Sequence, residues 1–320
     1  MNNRLNIVNG DACIKIMKEA GIDGDFLPWR DFLHEGPVPT HQSLLEISQI
    51  RARFISEYGL GTYEEVQKEF EERDALLLNH LHYAKVTLWF EHDLYDQLQL
   101  LQILSWFAKQ AQKPPYLTLI CTNNHLGESS AYQIKKLIQY ETPILKEHLE
   151  IAQQAWKSFG NATPIEWEKL LNQSTSILPY LKGAIYRMLE EYPNSKCGLS
   201  RSEYQTLIII ANGTDNPLEI FMKYQSCEER RFMGDVIFWK ILENFQNHNV
   251  IEKIEGKLHI TSLGRKLLEG KVYWFTIKPF EKWIGGVKLT PDDIWCWNVE
   301  KKQLEHYYYS SVINSLIKIK

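Results

Sequence analysis

The sequence predicts an α/β fold with an N-terminal parallel sheet of the Rossmann or flavodoxin-like kind. A helical region with a winged-helix-like module and a small β-rich C-terminal part are expected to follow it. Three observations indicate this fold. Short apolar runs alternate with helical patterns up to residue 145, and helical patterns then dominate. Runs rich in Trp, Tyr and Phe occupy the last 50 residues and indicate short antiparallel strands.

The elements of the N-terminal part follow from apolar periodicity and chain-breaking residues. The predicted strands are the runs LNIV, FLPW, KVTLWF, YLTLIC and PIL, at residues 5–8, 26–29, 85–90, 116–121 and 143–145. Helical periodicity between turn residues predicts helices at residues 12–20, 43–57, 62–80, 94–110 and 130–139. Between the second strand and the second helix, one Gly and two Pro residues in RDFLHEGPVPTHQ argue against regular structure. Strands that alternate with helices predict a parallel sheet.

The C-terminal half has a different pattern. Helices are predicted at 199–213 and 229–246, followed by a hairpin around Glu255-Gly256 and a helix capped by Thr261. This order resembles a winged helix. Residues 199–270 contain nine Lys or Arg and ten Asp or Glu, however, so we interpret the module as an interaction or scaffold module rather than a DNA reader.

Three parts are therefore predicted: a ligand-binding α/β domain at 1–145, a helical linker region at 146–198, and the winged-helix-like module with the β-rich part at 199–320. The 320 residues suit two or three domains, and 44% hydrophobic residues can supply their cores.

Composition excludes several classes of protein. The net charge is only −4 and no block of like charge occurs, so a nucleic-acid partner is not expected. The five cysteines form no C-x-x-C pair, which argues against a disulfide framework or a structural zinc site. The sequence shows neither a secretory signal nor an apolar run of membrane-spanning length. We expect a cytoplasmic protein without a membrane partner.

Polar side chains follow four predicted strands at the point where each strand ends. Parallel sheets bind ligands at this carboxyl edge, and the common strand order 2-1-3-4-5 would bring Asp11 close to Glu91. The candidate ligand-binding residues at these ends are Asn9, Gly10, Asp11, Trp29, Arg30, Asp31, Glu35, Asp93, Asp96 and Thr122. The candidate catalytic residues are His34, His92 and Glu91.

Acidic groups outnumber basic groups among these residues, so a bare phosphate would be repelled. A divalent metal, an amine-bearing ligand or a phosphate carried with a metal would fit better. The predicted metal ligands are Asp11, Glu91 and Asp93, and ligation by oxygen favours Mg²⁺ or Mn²⁺. Because imidazole is also a ligand of zinc and iron, His34 and His92 keep these two metals as alternatives. Both histidines could also transfer protons near neutral pH.

Each of these features also has an ordinary structural explanation. Asp11 could cap the first helix, and Asp93 with Asp96 three residues later fits the N-cap of the fourth. Arg30 and Asp31 could form a surface pair beside a solvated His34. No G-x-G-x-x-G or Walker pattern follows the first strand, so a dinucleotide or P-loop site is not expected.

Five segments resemble those of the bacterial domain-of-unknown-function 1835 family. They are NGD (9–11), PWRDFLHEGPVP (28–39), LWFEHDLYDQLQLLQ (88–102), GLSRSEYQ (198–205) and FMGDVIFW (232–239). The resemblance spans nearly the whole chain and implies a bacterial origin. It assigns no role to any residue, so only the strand ends and their charges indicate a site.

Three hypotheses about function remain. The leading one is an α/β domain that binds a small polar or nucleotide-like ligand, as a divalent-metal-dependent hydrolase or phosphoryl-handling enzyme. The second is a non-enzymatic regulatory or protein-interaction module that senses a ligand and uses the winged-helix-like domain. In the third, the charges are caps and surface pairs, and function lies in an interface of the Trp-rich C-terminal part. The sequence indicates neither the substrate nor the oligomeric state.

Overall fold

The computed structural model describes residues 3–277, 281–310 and 315–319. The chain forms two compact units, the first of residues 1–184 and 283–287 and the second of residues 185–282 and 288–320. The fold class predicted from the sequence is confirmed, with a mostly parallel N-terminal sheet and small antiparallel C-terminal sheets. In the part of the chain described, no helix combines the length and apolar character needed to cross a membrane.

The first unit contains most of the strands and helices that were predicted for residues 1–145. Its strands are β1 (Arg4–Val8), β2 (Asp25–Pro28), β3 (Gly36–Pro37), β4 (Lys85–Glu91), β5 (Tyr116–Thr122) and β6 (Thr142–Pro143). Its helices are α1 (Ile14–Glu19), α2 (Leu44–Glu57), α3 (Tyr63–Leu78), α4 (Leu94–Lys109), α5 (Ala131–Leu137), α6 (Lys146–Phe159) and α7 (Ile165–Lys169). The helix α8 (Leu181–Leu189) begins at its end.

The main sheet has the order β2-β1-β4-β5-β6, which is the order 2-1-3-4-5 counted over its own strands. Four of the strands are parallel, but β6 is antiparallel to β5. The prediction of a fifth parallel strand is therefore wrong. β6 pairs through only two residues at the sheet edge, where Pro143 is tolerated although it lacks a backbone N–H.

The loop after β2 contains one short strand, against the prediction of no regular structure. Gly36 and Pro37 pair in parallel with Ile284 and Gly285 of β9 (Lys282–Gly285). Gly36 has a φ of 79°, and a Cβ at this position would lie 2.5 Å from the ring of Phe54. Only glycine fits this position, which explains the turn between His34 and Pro37.

Helix α4 holds the carboxyl edge in place through buried amide side chains. It contacts β4 and α6 and is buried along most of its length. Gln99 donates hydrogen bonds to the carbonyl oxygens of Trp29 and Asp31, and Gln97 donates one to the carbonyl of Glu91. The strand ends of β2 and β4 are thus fixed to one helix.

The second unit carries helices and small antiparallel sheets. Its helices are α9 (Arg201–Ala211), α10 (Pro217–Cys227), α11 (Asp235–Asn247), α12 (Ser262–Leu268) and α13 (Trp274–Ile277). Its strands are β7 (Ile251–Ile254), β8 (Lys257–Ile260), β10 (Val287–Leu289), β11 (Ile294–Asn298), β12 (Gln303–Ser310) and β13 (Ser315–Lys318); β10 begins at Val287 of the first unit. The predicted hairpin is the antiparallel pair β7–β8.

One helix of this unit was missed. Gly213 and Pro217 indicate chain breaks in the sequence, but Asn216 caps α10 and Pro217 is its first residue. Proline is favoured at that position because its missing N–H has no partner within the helix anyway. The order α9, α10, α11, hairpin and α12 is compatible with a winged helix, and that assignment stays a prediction.

Candidate functional site

The carboxylate of Glu91, the last residue of β4, lies at the centre of the candidate site. Its Oε2 is 2.7 Å from Nδ1 of His125, and its Oε1 accepts a 2.8 Å hydrogen bond from the backbone N–H of Leu126. Glu91 is 5% exposed. The parallel pairing of β4 and β5 places Glu91 opposite Thr122. His125 follows Thr122 by three residues and therefore lies close to Glu91.

Asp93 completes a set of three possible metal ligands. Its side chain caps α4 by accepting a hydrogen bond from the N–H of Asp96. This helix cap is the alternative to a site role that the sequence indicated. One ligand atom each from Glu91, Asp93 and His125 lies within 4.8 Å of the others. Two carboxylates and one imidazole around a shared point are a donor set that a divalent cation accepts.

Asp96 joins this cluster to the first strand. One carboxylate oxygen accepts a 2.5 Å hydrogen bond from the N–H of Glu91, and the other accepts a 2.7 Å bond from the amide of Asn9. Both oxygens are therefore used in holding the ends of β1 and β4 together. Asp96 acts as a support for the site, whereas the sequence placed it among the residues that contact ligand.

Negative charge accumulates in this cluster without solvent to disperse it. Burial, together with the charge of Glu91, raises the pKa of Asp93 to about 7. Burial and the neighbouring charges of Asp93 and Glu91 also raise the pKa of Asp96 well above its ordinary value. Like charges this close disfavour ionisation of Asp93 and Asp96 unless a proton or a cation compensates them.

The raised pKa of Asp93 predicts a pH-dependent loss of stability. Between its ordinary pKa of 3.8 and about 7, the folded state keeps a proton that the unfolded state has lost. Stability should therefore fall as pH rises through this range, and the loss should persist above it. In EDTA near pH 8, Asp93→Asn should raise the free energy of unfolding by about 1–3 kcal/mol, because the charge is removed and asparagine also caps helices well.

Urea unfolding of the wild-type protein and Asp93→Asn at about pH 5 and about pH 8 measures this effect. The difference between the two proteins should shrink at the lower pH, where Asp93 is protonated in the folded state. If wild type and Asp93→Asn differed in free energy of unfolding by the same amount at both pH values, the raised pKa of Asp93 would be contradicted.

Asp11 lies in a second, more exposed part of the edge. It forms a two-point ion pair with Arg30, with distances of 2.5 Å to Nε and 2.8 Å to Nη2, and this hydrogen bonding lowers the pKa of Asp11. The structure does not bring Asp11 into the group of possible metal ligands, which consists of Glu91, Asp93 and His125. The capping alternative is wrong, since Cys13 stands at the N-cap of α1.

A cavity of about 540 Å³ opens beside this ion pair. Its lining comes from the ends of β1 and β2, from α2 and α3, and from the start of α4: Asn9, Gly10, Asp11, Arg30, Phe32, Ile55, Leu60, Gly61, Glu65, Val66, Glu69 and Tyr95. Asn9 belongs both to this lining and to the hydrogen bond with Asp96. Three carboxylates, Asp11, Glu65 and Glu69, and one guanidinium line it, so the cavity is acidic. Only Asp11 of these carboxylates was among the predicted site residues.

Trp29 and Asp31 belong to the packed interior. Trp29 is fully buried, its indole N–H donates to Gln102, and the guanidinium of Arg73 lies 4.1 Å from its ring centre. Asp31 is 1% exposed and its Oδ1 is 2.7 Å from Nη2 of Arg51. Their predicted contact with a ligand is therefore wrong, and so is the alternative of a surface pair between Arg30 and Asp31.

The remaining predicted residues lie around these two parts. His34 is buried rather than solvated, and its ring centre is 6.2 Å from that of Tyr95. The backbone carbonyl of Glu35 accepts a 2.6 Å hydrogen bond from Arg51. His92 lies beside the metal-ligand cluster, since its ring centre is 5.6 Å from that of His125.

His125 is a candidate site residue that sequence reasoning missed. It follows the polar residues Thr122 and Asn123 at the end of β5, and extending the strand-end rule by two further residues would have included it. The segment NNHLGE has no helical or strand periodicity, and a loop histidine gives no stronger signal of its own.

Comparison with protein-family models and with curated proteins gives no significant match for this chain. The resemblance to the domain-of-unknown-function 1835 family stays a prediction.

Proposed function

We propose that the first unit binds a divalent cation at Glu91, Asp93 and His125 and a small polar or nucleotide-like ligand in the neighbouring cavity. The observation that carries this proposal is the convergence of three ligand atoms within 4.8 Å from two strand ends of one sheet. Under it, the protein is a metal-dependent hydrolase or phosphoryl-handling enzyme.

The donor set favours Mn²⁺. Carboxylate oxygens suit Mg²⁺ and Mn²⁺, whereas an imidazole ligand suits the transition metals, and Mn²⁺ accepts both. Three protein ligands leave coordination positions for water and substrate, which is the pattern of catalytic rather than structural sites. A cation held here would lower the pKa of a bound water and supply a nucleophile near neutral pH.

The surroundings supply the other functions that such chemistry needs. His92, with its ring 5.6 Å from that of His125, is placed to move a proton beside the cation. Arg30 could pair with an anionic group of the ligand by releasing Asp11, since both side chains are about half exposed. Phe32 and Tyr95 offer ring surface to the apolar part of the ligand.

A thermal-shift experiment with AMP, ATP and ribose 5-phosphate, each with MnCl₂ or with EDTA, tests this function. Mn²⁺ alone should raise the melting temperature, and at least one phosphate ligand should raise it further only when Mn²⁺ is present. A ligand at a hundred times its dissociation constant adds about 2.7 kcal/mol of stability. Arg30→Gln should keep the Mn²⁺ effect and lose most of the ligand effect.

Two outcomes would oppose the proposal. The first is a melting temperature that is the same in Mn²⁺ and EDTA. The second is a ligand effect that persists unchanged in EDTA and in Arg30→Gln.

A second candidate function rests on the order of α9, α10, α11, the β7–β8 hairpin and α12. This order favours a regulatory module in which the second unit contacts a partner. Binding to duplex DNA that weakens steeply with added salt would support it. The nearly balanced charge of residues 199–270 favours a protein partner over DNA.

A further inference from the structure

Another cavity of the first unit, with a volume of about 340 Å³, lies beside helix α2. It shares no lining residue with the cavity beside Arg30. Its lining residues come from β3, one face of α2, the start of α3 and β9, and they are Pro37, Gln49, Ile50, Arg53, Phe54, Glu57, Tyr63 and Trp283. Small-molecule sites usually measure about 300–1,000 Å³, so this volume suits a ligand of the size of an amino acid.

Two opposite charges of this lining are accessible to solvent. Arg53 and Glu57 are exposed and lie four residues apart on α2, which makes them neighbours on one helix face. Within the residues that the structure describes, neither side chain forms an ion pair or a hydrogen bond. A basic residue that precedes its acidic neighbour on a helix gives the weaker order for such a pair. A ligand can therefore contact both charges without displacing an existing partner.

Aromatic side chains lie beside the two charges. Trp283 is 37% exposed, and Phe54 and Tyr63 are half-buried. An aromatic ring that covers these surfaces removes apolar area from water, and a pair of aromatic rings adds about 0.5–1.5 kcal/mol to the gain from burial. The accessible part of the cavity thus combines one cation, one anion and ring surface.

The backbone and neighbouring side chains hold these walls in place. Trp283 directly precedes the residues of β9 that pair with β3. The guanidinium of Arg51 lies 4.8 Å from the ring centre of Phe54. Tyr63 is the first residue of α3, and Thr62 caps that helix. Fixed walls reduce the entropy that is lost when a ligand binds.

We propose that this cavity binds a free aromatic α-amino acid. The guanidinium of Arg53 matches the α-carboxylate, and the carboxylate of Glu57 matches the α-ammonium group. The aromatic walls receive the side chain of the ligand. A ligand with a single charge would leave Arg53 or Glu57 without a partner. The site does not depend on the cation cluster or on the function proposed for it.

Ligand-observed NMR titration of the full-length protein in EDTA with L-phenylalanine, L-tyrosine and L-tryptophan tests this proposal. At least one of the three should bind, and L-alanine, which has no ring, should bind more weakly. Arg53→Met and Glu57→Gln each remove one charge from an exposed position, so both variants should fold. Each should weaken binding by about tenfold, which corresponds to about 1.4 kcal/mol.

Glu64→Gln is the matched control for Glu57→Gln, because Glu64 is an exposed carboxylate on the adjacent helix α3 and lines neither cavity. This variant and Arg30→Gln should bind the amino acid as the wild type does. Absence of binding by all three aromatic amino acids at millimolar concentration would overturn the proposal. Equal affinity of the wild type and Glu57→Gln would overturn it too. A loss of affinity in Arg30→Gln would place the amino acid in the other cavity and reject the site.

Discussion

Glu91→Gln is expected to weaken the binding of Mn²⁺ by at least about 100-fold. Glu91 is the shared member of the cluster, since one carboxylate oxygen lies 2.7 Å from His125 and the other accepts from Leu126. Glutamine has the same shape but lacks the charge that a cation requires. Loss of groups that only support metal ligands already costs about 10–100-fold in affinity, so loss of a ligand should cost more. Titration followed by Mn²⁺ electron paramagnetic resonance measures the affinity.

Glu141→Gln is the matched control for this variant. Glu141 is also a partly buried carboxylate beside the same sheet, but it accepts from Lys85 and Thr118 and is no member of the cluster. Its replacement should leave the affinity for Mn²⁺ unchanged. Similar losses in both variants would mean that overall charge, and not this cluster, determines the binding.

Arg51→Met is expected to lower the free energy of unfolding by about 3–5 kcal/mol, because it leaves the charge of Asp31 buried without its partner. Arg51 is fully buried, and its guanidinium donates to Asp31, to the carbonyl of Glu35 at 2.6 Å and to the carbonyl of Phe32 at 3.2 Å. These bonds hold the loop after β2 against α2. Urea unfolding followed by circular dichroism measures the loss.

Arg53→Met, two residues along the same helix and exposed, is the control. It should change stability by less than about 0.5 kcal/mol, as surface substitutions usually do. The double variant Asp31→Leu with Arg51→Met should recover part of the lost stability, since it removes the buried charge together with its partner. Equal stability of the two single arginine variants would show that the buried pair does not hold the loop.

The strand order was predictable because the strands are apolar runs separated by helical patterns, and connections between parallel strands obey few rules. The direction of β6 was not predictable, because a strand with only two paired residues has no sequence pattern that distinguishes parallel from antiparallel pairing. Helix α10 was missed because proline usually interrupts regular structure. Pro217 is instead the first residue of the helix, a position that proline favours.

The shared edge of the site was predictable from the same rules, and Asn9, Asp96 and Glu91 do meet there. Which side chains pair with one another at this edge was not predictable. Asp31 pairs with Arg51 on a separate helix, twenty residues along the chain, and no local pattern distinguishes that pair from a pair with Arg30. Side-chain partners depend on tertiary packing, which strand periodicity does not encode.

Diffraction can test directly whether Glu91, Asp93 and His125 form the proposed divalent-cation site. The most direct measurement is X-ray diffraction from crystals soaked in MnCl₂, with data collected near the manganese absorption edge. We expect an anomalous difference peak at about 2.0–2.3 Å from one oxygen of each carboxylate and from a ring nitrogen of His125. A fully soaked crystal with no peak among these three side chains would contradict it.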